Sequence, residues 1–386
     1  MSYSQVNSRW GQPPWTIDFT PADSSMPEKA DFAIVGGGFT GLAAAAWLRL
    51  LAPEKSVAVF EAARIGAGAS GRTGGMALAE TAAGDLPGLG DVLGGFQTIL
   101  EELGVDCDLS LPGAWEIGRQ GGLRESPLAW TDSGTLRVVK EVPGGTLDPG
   151  KLVSGLARAA EDRGARIFED APVARIHWAR SPKIEIVRSN GETHALRAEK
   201  IILATNALSL GLTGLREGAH PRLTLAALTA PLTEQELQSA GLAARKPFYT
   251  ADLPYLWGRV RQDKSIVWGA GLVTAPEEKK VEEADIASAG AAQLFASLEK
   301  RVRGLHPALR SAKFTARWGG PILFRDDWRP VFDFHPECKD AVVLGAYAGH
   351  GVALSSYLAA WAAEVLLAKR KLPEWGKLAH SRHAEN

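Results

Sequence analysis

The sequence predicts an α/β protein with a Rossmann-type dinucleotide-binding domain and a second domain built on a mixed, largely antiparallel sheet. Three observations predict this. A strand, a glycine-rich turn, a helix and a second strand follow one another between residues 31 and 61, alternating apolar runs dominate residues 222–324, and the chain has 386 residues. Because a single hydrophobic core stops growing at about 250 to 300 residues, two domains are expected.

Composition and charge narrow the class of partner. Hydrophobic residues make up 45% of the chain and charged residues 23%, as in ordinary globular proteins. The 43 basic and 44 acidic side chains give no field that attracts nucleic acid or an anionic membrane, which favours a small-molecule partner. The two cysteines, Cys107 and Cys338, form no CxxC or His/Cys cluster, so we expect a reducing cytoplasmic location and no metal site. No apolar stretch reaches the roughly 20 residues of a transmembrane helix, and the polar start predicts no signal peptide.

Residues 1–29 are predicted to form an irregular arm that lies over the surface. They are polar and include Pro13, Pro14, Pro21 and Pro27, and proline disfavours both helix interiors and central strands.

The dinucleotide-binding unit begins with the apolar strand at residues 31–35. Gly36 permits the tight turn after the strand, Gly38 lets the backbone approach a pyrophosphate, and Gly41 lets the next helix pack close to the sheet. The N-terminal N–H groups of that helix then face the phosphates. Glu61 ends the second strand, 20 residues after Gly41, where a carboxylate accepts hydrogen bonds from ribose hydroxyls. This order of elements indicates an ADP-binding unit.

The segment after Glu61 favours FAD over NAD. Residues 62–76 place five glycines around Ser70, Arg72 and Thr73, a composition that resists regular structure and suits a backbone lying against a polyanionic ligand. The predicted cofactor-binding residues here are Ala62, Arg64, Ala69, Ser70, Gly71, Arg72, Thr73, Gly74, Gly75 and Met76.

The remaining elements follow from periodicity and turn residues. We predict helices at 91–103, 150–163, within 284–303 and at 352–370, strands at 115–118, 165–169, 173–176, 184–187, 200–204, 223–232, 255–260 and 266–271, and a hairpin turn at Asn190 and Gly191. The return of the chain to a buried strand at 200–204 makes the first domain discontinuous. We assign residues 30–80, 146–210 and 325–386 to the dinucleotide-binding domain, and 81–145 and 211–324 to the substrate domain.

The turn at residues 345–351 offers a second helix N-terminus to a ligand. Free N–H groups of Gly351 and Val352 would stabilise negative charge on a flavin. His350 either carries charge, donates to the substrate or fills space beside the ring.

Several motifs together resemble the D-amino-acid-oxidase-like flavoprotein superfamily, and specifically its gamma-glutamylputrescine oxidase-like branch. They are ADFAIVGGGFTGL at 30–42, GASGRTGG at 68–75, ATNA at 204–207, RWGG at 317–320 and GAYAGHGVAL at 345–354. The resemblance implies a two-domain oxidoreductase with an extended FAD whose isoalloxazine ring lies between the domains.

The resemblance also implies roles for particular residues. Further cofactor-binding positions are Phe39, Thr40, Val173, Thr205, Asn206, Gly320, Gly349, His350, Gly351 and Val352. Aromatic residues at or beside the flavin face are Tyr255, Trp257, Trp318, Phe324 and Tyr347, and we take His350, Trp318, Tyr255 and Tyr347 as the catalytic candidates.

Two absences refine that picture. Relatives with a covalent flavin have a cysteine where this chain has Gly319, Gly320 and Pro321, so FAD is expected to be noncovalent. Relatives that grip a substrate carboxylate have a lysine just after the Gly-His-Gly turn, where this chain has apolar residues. It is therefore in doubt whether this chain binds a substrate carboxylate. Arg317 and Arg259 are the other candidates for that contact.

The expected function is FAD-dependent oxidation of a C–N bond of an amine or amino acid to an imine, by hydride transfer to flavin N5, with O2 as acceptor and H2O2 as product. The alternatives are a dehydrogenase that passes electrons to a quinone or carrier protein, an enzyme acting on a C–OH bond, and a noncatalytic flavin-binding subunit.

Overall fold

A computed structural model describes residues 9–123, 125–215, 218–275 and 280–378. The strands, numbered along the chain, are β1 (Lys29–Val35), β2 (Val57–Phe60), β3 (Met76–Leu78), β4 (Ala114–Gly118), β5 (Ala129–Thr131), β6 (Thr135–Val142), β7 (Gly144–Thr146), β8 (Arg166–Phe168), β9 (Val173–His177), β10 (Lys183–Val187), β11 (Thr193–Leu203), β12 (Ala219–Thr229), β13 (Phe248–Thr250), β14 (Trp257–Val260), β15 (Ile266–Val273), β16 (Phe314–Arg325), β17 (Val331–His335) and β18 (Cys338–Gly345). The helices are α1 (Phe39–Leu51), α2 (Val92–Leu103), α3 (Pro149–Asp162), α4 (Leu210–Thr213), α5 (Glu234–Ser239), α6 (Ala289–Leu305) and α7 (Gly351–Leu366).

The first sheet is the predicted Rossmann-type sheet. Its order is β17-β18-β11-β1-β2-β8, with β10 and β9 attached through β11. β1 pairs in parallel with β11 and β2, and the carboxyl ends of these strands therefore meet at one edge. That edge is where ligands bind in open parallel sheets.

Helices cover the first sheet because α1 and α7 are apolar on almost every side. α1 packs against α3 and α7, and α2 packs against α7. Asp148 caps α3 through its side chain, with Pro149 at the first turn as the sequence predicts. α2 thus packs on the helices that cover the first sheet, and the assignment of residues 81–145 to the substrate domain stays a prediction.

The second sheet is mixed and largely antiparallel, in the order β16-β12-β15-β14-β13-β4-β6-β5. Only β13 and β4 pair in parallel among these neighbours. Trp130, Phe248 and Trp268 form its aromatic core with ring centroids 5.0 to 5.7 Å apart. The two sheets together confirm the predicted fold class.

The arm is irregular over the part that the structure describes, residues 9–28, but it does not simply lie on the surface. Trp10 and Trp15 are buried, and the Trp10 indole N–H donates to the carbonyl of Ala284 at 3.1 Å. The Trp15 indole donates to the carbonyl of Gly71 at 2.6 Å. An isolated bridge also pairs Gly11 with Trp318 of β16, so the arm joins the glycine-rich segment to the second sheet.

No helix in the described ranges is long and apolar enough to cross a bilayer.

Candidate active site

A continuous cavity of about 1170 Å³ runs from the carboxyl end of β1 to the second sheet. Residues of β1 and α1 line one part, and residues of β12, β13, β15 and β16 line the other. Its volume exceeds the 300 to 1,000 Å³ typical of pockets for one small ligand, so it has room for an extended ligand and a second molecule.

Backbone groups form the end of the cavity at β1. Gly36 has a φ of +111°, which a side chain disfavours, and its own Cβ would lie 2.7 Å from the carbonyl of Ala204. A Cβ on Gly38 would lie 2.7 Å from the Ser70 hydroxyl, which accepts a hydrogen bond from the Phe39 N–H at 2.9 Å. The turn is therefore shaped by glycine at both positions.

Glu61 lines the same end of the cavity. Its carboxylate accepts hydrogen bonds from the N–H of Gly37 at 2.7 Å and of Ala63 at 3.0 Å. Burial raises the pKa of the carboxyl, against the effect of those two donors. The hydrogen bonds fix the carboxylate at the cavity, where its remaining lone pairs fit ribose hydroxyls.

Two lining hydroxyls are buried without a hydrogen-bond partner in the described part of the chain. They are Thr205 Oγ1 and Ser355 Oγ. Buried polar groups in folded proteins are almost always hydrogen-bonded, and a polar ligand in the cavity would supply the partners that these hydroxyls lack. Together with the glycine turn and Glu61, they fit FAD. Sequence analysis predicted Thr205 but missed Ser355, which lies inside an apolar helix.

The start of α7 also faces the cavity. His350 occupies the N-cap position and makes no side-chain cap, so the N–H groups of the first turn are left for a ligand. Gly349, Gly351 and Val352 line the cavity with it. A helix of this length presents a positive dipole end there.

Most predicted site residues line this cavity. They are Gly36, Gly38, Phe39, Thr40, Glu61, Ala62, Ala69, Ser70, Arg72, Thr73, Gly74, Met76, Val173, Thr205, Asn206, Gly320, Gly349, His350, Gly351 and Val352, with Tyr255 and Tyr347.

Four predicted cofactor-binding residues do not line it. Gly41 and Gly71 act in packing, because a Cβ on either would collide with a backbone carbonyl, that of Gly36 or of Gly66. Gly75 has a φ of +73° in the turn before β3. The Arg64 side chain is 71% exposed and pairs with Glu169 at 3.5 Å.

Trp318 does not form the aromatic wall that the sequence predicted. It is fully buried outside the cavity lining. Its ring contacts Trp15 edge-on at 5.5 Å, and its indole N–H donates to the carbonyl of Arg72 at 2.9 Å. The arm occupies the face of β16 on which Trp318 lies, so this residue joins the arm to the glycine-rich segment.

Arg72 lines the cavity, but its guanidinium donates hydrogen bonds to backbone carbonyls. It donates to the carbonyls of Gly11 at 2.8 Å, Gly319 at 3.1 Å and Ala67 at 3.1 Å. Burial lowers the pKa of Arg72 to about 10. The residue thus ties the arm, the glycine-rich segment and β16 together.

Aromatic side chains surround the part of the cavity beside the second sheet. Tyr347 is buried and its hydroxyl lies 2.9 Å from Thr40 Oγ1, and burial raises its pKa. Trp257 lies between Gly74 and Gly269, where a Cβ on either glycine would collide with its ring. Tyr255 is 53% exposed at the opening of the cavity.

One polar pair on this wall was missed by sequence analysis. The Tyr249 hydroxyl donates to Glu80, and Tyr249 lines the cavity. Burial, followed by the Glu80 bond, raises the pKa of Tyr249. Glu80 is the second residue after β3 and lies between the lining residues Leu78 and Thr81, but it does not itself line the cavity. The one sequence signal was a lone acid after an apolar strand.

Neither arginine proposed for carboxylate capture lines the cavity. Arg317 donates to Glu299 at 2.7 Å. Arg259 is buried, donates to the carbonyl of Gly74, and has a pKa lowered by burial to about 10. In the described ranges, no cluster of three or more His, Cys, Asp or Glu residues is arranged to hold a metal ion.

Three comparisons relate the chain to known proteins. The family model described as DAO, FAD dependent oxidoreductase, matches residues 31–365. The probable oxidoreductase OrdL of Rhizobium meliloti (strain 1021) is 24% identical over 407 aligned positions, which cover 92% of this chain and 87% of that protein. The gamma-glutamylputrescine oxidoreductase of Escherichia coli (strain K12) is 25% identical over 382 positions, which cover 87% and 83%. Glycine oxidase from Geobacillus kaustophilus has a solved structure that matches with a TM-score of 0.67 at 20% identity, over 89% of this chain and 96% of that one.

Proposed function

This chain belongs to the DAO family of FAD-dependent oxidoreductases, and from that premise we propose that it oxidises a C–N bond of an amine or amino acid to an imine. FAD is its cofactor. The observation that carries the proposal is one continuous cavity, which runs from the glycine turn of β1 to an aromatic wall on the second sheet. The names of two relatives, gamma-glutamylputrescine oxidoreductase and glycine oxidase, point to nitrogen-bearing substrates.

The residues that would hold FAD are those at the β1 end and at the start of α7. The turn of Gly36 and Gly38 and the N-terminus of α1 suit the pyrophosphate, and Glu61 suits the ribose. The hydroxyls of Thr205 and Ser355 gain partners when the cavity is filled. When bound, FAD supplies the two-electron acceptor for the oxidation.

The chain's own contribution to the reaction is orientation and exclusion of water. Tyr347 and Trp257 are held rigidly, one by its bond to Thr40 and the other between two glycines. Such fixed walls hold a substrate in one geometry against the cofactor, and misplacement by about 1 Å costs about 100-fold in rate. The dipole of α7 favours negative charge at its start.

We further propose that FAD is bound noncovalently. Cys107 and Cys338 are the cysteines of the chain, and neither lines the cavity. Acid precipitation should release all yellow colour into the supernatant, and colour left in the washed pellet would contradict this.

The proposed electron acceptor is O2, with H2O2 as product, and the cytoplasmic location stays a prediction. The test of function is anaerobic mixing of the purified yellow protein with a panel of amines, amino acids and alcohols. We expect amines or amino acids, but not alcohols, to bleach the flavin, and peroxide to appear when air is admitted. Bleaching by alcohols alone would overturn the proposed reaction. If a substrate bleaches the flavin but no peroxide appears when air is admitted, and a quinone then reoxidises the flavin, the acceptor is a quinone rather than O2.

A further inference from the structure

Two neighbouring loops at the cavity contain residues with side chains in left-handed backbone. Asn206, in the loop after β11, has a φ of +48°. Ala346 and Ala348, in the turn after β18, have φ values of +55° and +50°. Asparagine tolerates this region because its side chain can form local hydrogen bonds, whereas alanine has no such means. A turn with two alanines in this conformation must therefore be held by the contacts around it.

The side chain of Asn206 supplies one of these contacts. Its Oδ1 accepts a hydrogen bond from the N–H of Ala346 at 3.0 Å. Ala346 is fully buried, so this N–H cannot turn to water and needs an acceptor from the protein. β11 and β18 are parallel neighbours, which brings the loop after one strand against the turn after the other. A second contact runs from the N–H of Ala348 to the carbonyl of Leu323 on β16, at 3.1 Å.

The turn after β18 determines how two parts of the cavity wall are placed. Tyr347 lies between the two alanines, and its hydroxyl is 2.9 Å from Thr40 Oγ1 in the first turn of α1. The N–H of His350 donates to the carbonyl of Tyr347 at 2.9 Å, and α7 begins at the next residue, Gly351. Tyr347, His350 and Gly351 all line the cavity. The direction of the Tyr347 ring and the position of the start of α7 thus depend on the backbone of this turn.

We propose that Asn206 is a positioning residue for FAD. Its side-chain oxygen holds the turn at residues 345–349 in the left-handed conformation, and the turn in its place sets Tyr347 and the start of α7 against the cofactor. This role differs from a direct contact with FAD. FAD binds the held turn, so the affinity falls with the fraction of molecules in which the turn is held. The inference concerns the cofactor and is independent of which bond the enzyme oxidises.

The first test is Asn206→Gly. Glycine adopts a φ of +48° without strain, so the variant loses the acceptor while the loop after β11 keeps its path. We expect FAD to bind about 10-fold more weakly, because a buried N–H loses its partner. Reduced flavin carries negative charge and depends more on the start of α7, so the midpoint potential should also fall. The fall is about 30 mV for each 10-fold by which reduced FAD loses more affinity than oxidised FAD. Titration of apoprotein with FAD and equilibration of bound flavin with a redox dye measure the two effects.

The second test restores the turn without the side chain of Asn206. Ala346→Gly lets the turn adopt its positive φ unaided, so Asn206→Gly combined with Ala346→Gly should recover at least about 5-fold of the lost affinity and raise the potential again. The matched control combines Asn206→Gly with Ala368→Gly. Ala368 also has a positive φ, +58°, but it is exposed after α7 and outside the cavity lining. The control should bind FAD as weakly as Asn206→Gly alone.

Four results would overturn the inference. Asn206→Gly could bind FAD with parental affinity, or it could leave the potential unchanged. Ala346→Gly could fail to restore the affinity, as a direct contact between Asn206 and FAD predicts. Ala368→Gly could restore it equally, as general stabilisation predicts.

The yield of folded protein replaces FAD affinity as the measurement if Asn206→Gly does not fold. The combination with Ala346→Gly should then fold and the combination with Ala368→Gly should not, and any other result contradicts the inference. The titrations and the dye need no substrate. Failure of the proposed oxidation therefore leaves this inference standing, and failure of this inference leaves the proposed oxidation standing.

Discussion

The two ends of the cavity are built in different ways. At the β1 end, backbone groups and glycines from one continuous segment line the cavity, and Glu61 completes that lining within residues 36–61. At the end beside the second sheet, single side chains from distant parts of the chain meet, and the hydrogen-bonded Glu80 and Tyr249 are 169 positions apart. A site made of backbone can be recognised from a short motif, whereas a site made of scattered side chains depends on the whole topology.

The difference also separates the consequences of mutation. Changes at the β1 end should alter how tightly FAD is held, and changes at the other end should alter what binds beside it. Residues between the ends, such as Trp318, should alter stability. The predictions below test that division, from the largest expected effect to the smallest.

Gly38→Val should abolish retention of FAD. The new Cβ would lie 2.7 Å from the Ser70 hydroxyl and displace the bond that this hydroxyl accepts from Phe39, while the larger side chain fills the space left for a pyrophosphate. The ratio of flavin to protein after gel filtration measures this. Gly290→Ala is the control, since a Cβ at Gly290 meets nothing within 4 Å. If the Gly38 variant kept its full complement of flavin, the glycine-rich turn after β1 would not be part of the cofactor site.

Trp318→Ala should lower the free energy of unfolding by about 3 to 5 kcal/mol, as expected for a large, fully buried aromatic side chain. The rate of flavin reduction in FAD-loaded protein should stay near the parental value, because the ring faces the arm. Chemical denaturation and anaerobic stopped-flow mixing measure the two effects. If the variant reduced its flavin slowly but unfolded with the parental free energy, Trp318 would be an active-site residue after all.

Glu61→Gln should weaken FAD binding by about 10-fold, because the amide loses the charge-assisted hydrogen bonds of the carboxylate. Titration of apoprotein with FAD measures this, and an unchanged affinity would exclude Glu61 from the ribose site.

The same substitution should have the opposite effect on the stability of the apoprotein. The pKa of Glu61 is raised by burial in the folded state, so the folded protein holds the proton more tightly than the unfolded chain does. The stabilisation that comes from binding this proton is fully present below the ordinary glutamate pKa and is lost as pH rises through the raised pKa of the folded state. At neutral pH, apo Glu61→Gln should therefore melt above the apo parent, and a lower melting temperature would contradict this assignment.

Asp31→Asn should have the smallest effect, a loss of about 1 kcal/mol at neutral pH. Partial burial alone would raise the pKa of Asp31, but hydrogen bonds from Lys55 and Ser56 hold it at about 2. The contribution of the ionised Asp31 carboxylate to the free energy of unfolding is present above the ordinary aspartate pKa and is lost as pH falls towards 2. Thermal melts of parent and variant should converge across that interval, whereas exposed Asp23→Asn should match the parent throughout.

The sequence predicted the β1 end well for a physical reason. The turn, the helix and Glu61 are local, and the glycines are required by the backbone path itself, as the φ of Gly36 illustrates. The division into two sheets also follows from the pattern of strands and helices, although no strand order was predicted. The short strands β3, β5, β7 and β13 were not predicted, and neither were the longer β6, β16, β17 and β18, whereas the equally short β8 was predicted from the apolar run at 165–169.

The other end could not be predicted in the same way. Whether Trp318 faces the cavity depends on Trp15, which lies far away in sequence but 5.5 Å away in space. Tyr249 and Glu80 each look like ordinary polar residues until the topology brings them together. Their roles arise from tertiary contacts that no local pattern encodes.

The buried tryptophans of the arm affect the order in which native contacts can form during synthesis of the chain. The partner of the Trp10 indole, the carbonyl of Ala284, lies 274 positions further along the chain. At a synthesis rate of about 5 to 20 residues per second, roughly 14 to 55 s separate the appearance of the two groups. Among the described buried side chains, Trp10 is the earliest in the chain, yet it can make this bond only after residue 284 has been synthesised. Trp15 and Gly71 are only 56 positions apart, so their bond can form much earlier.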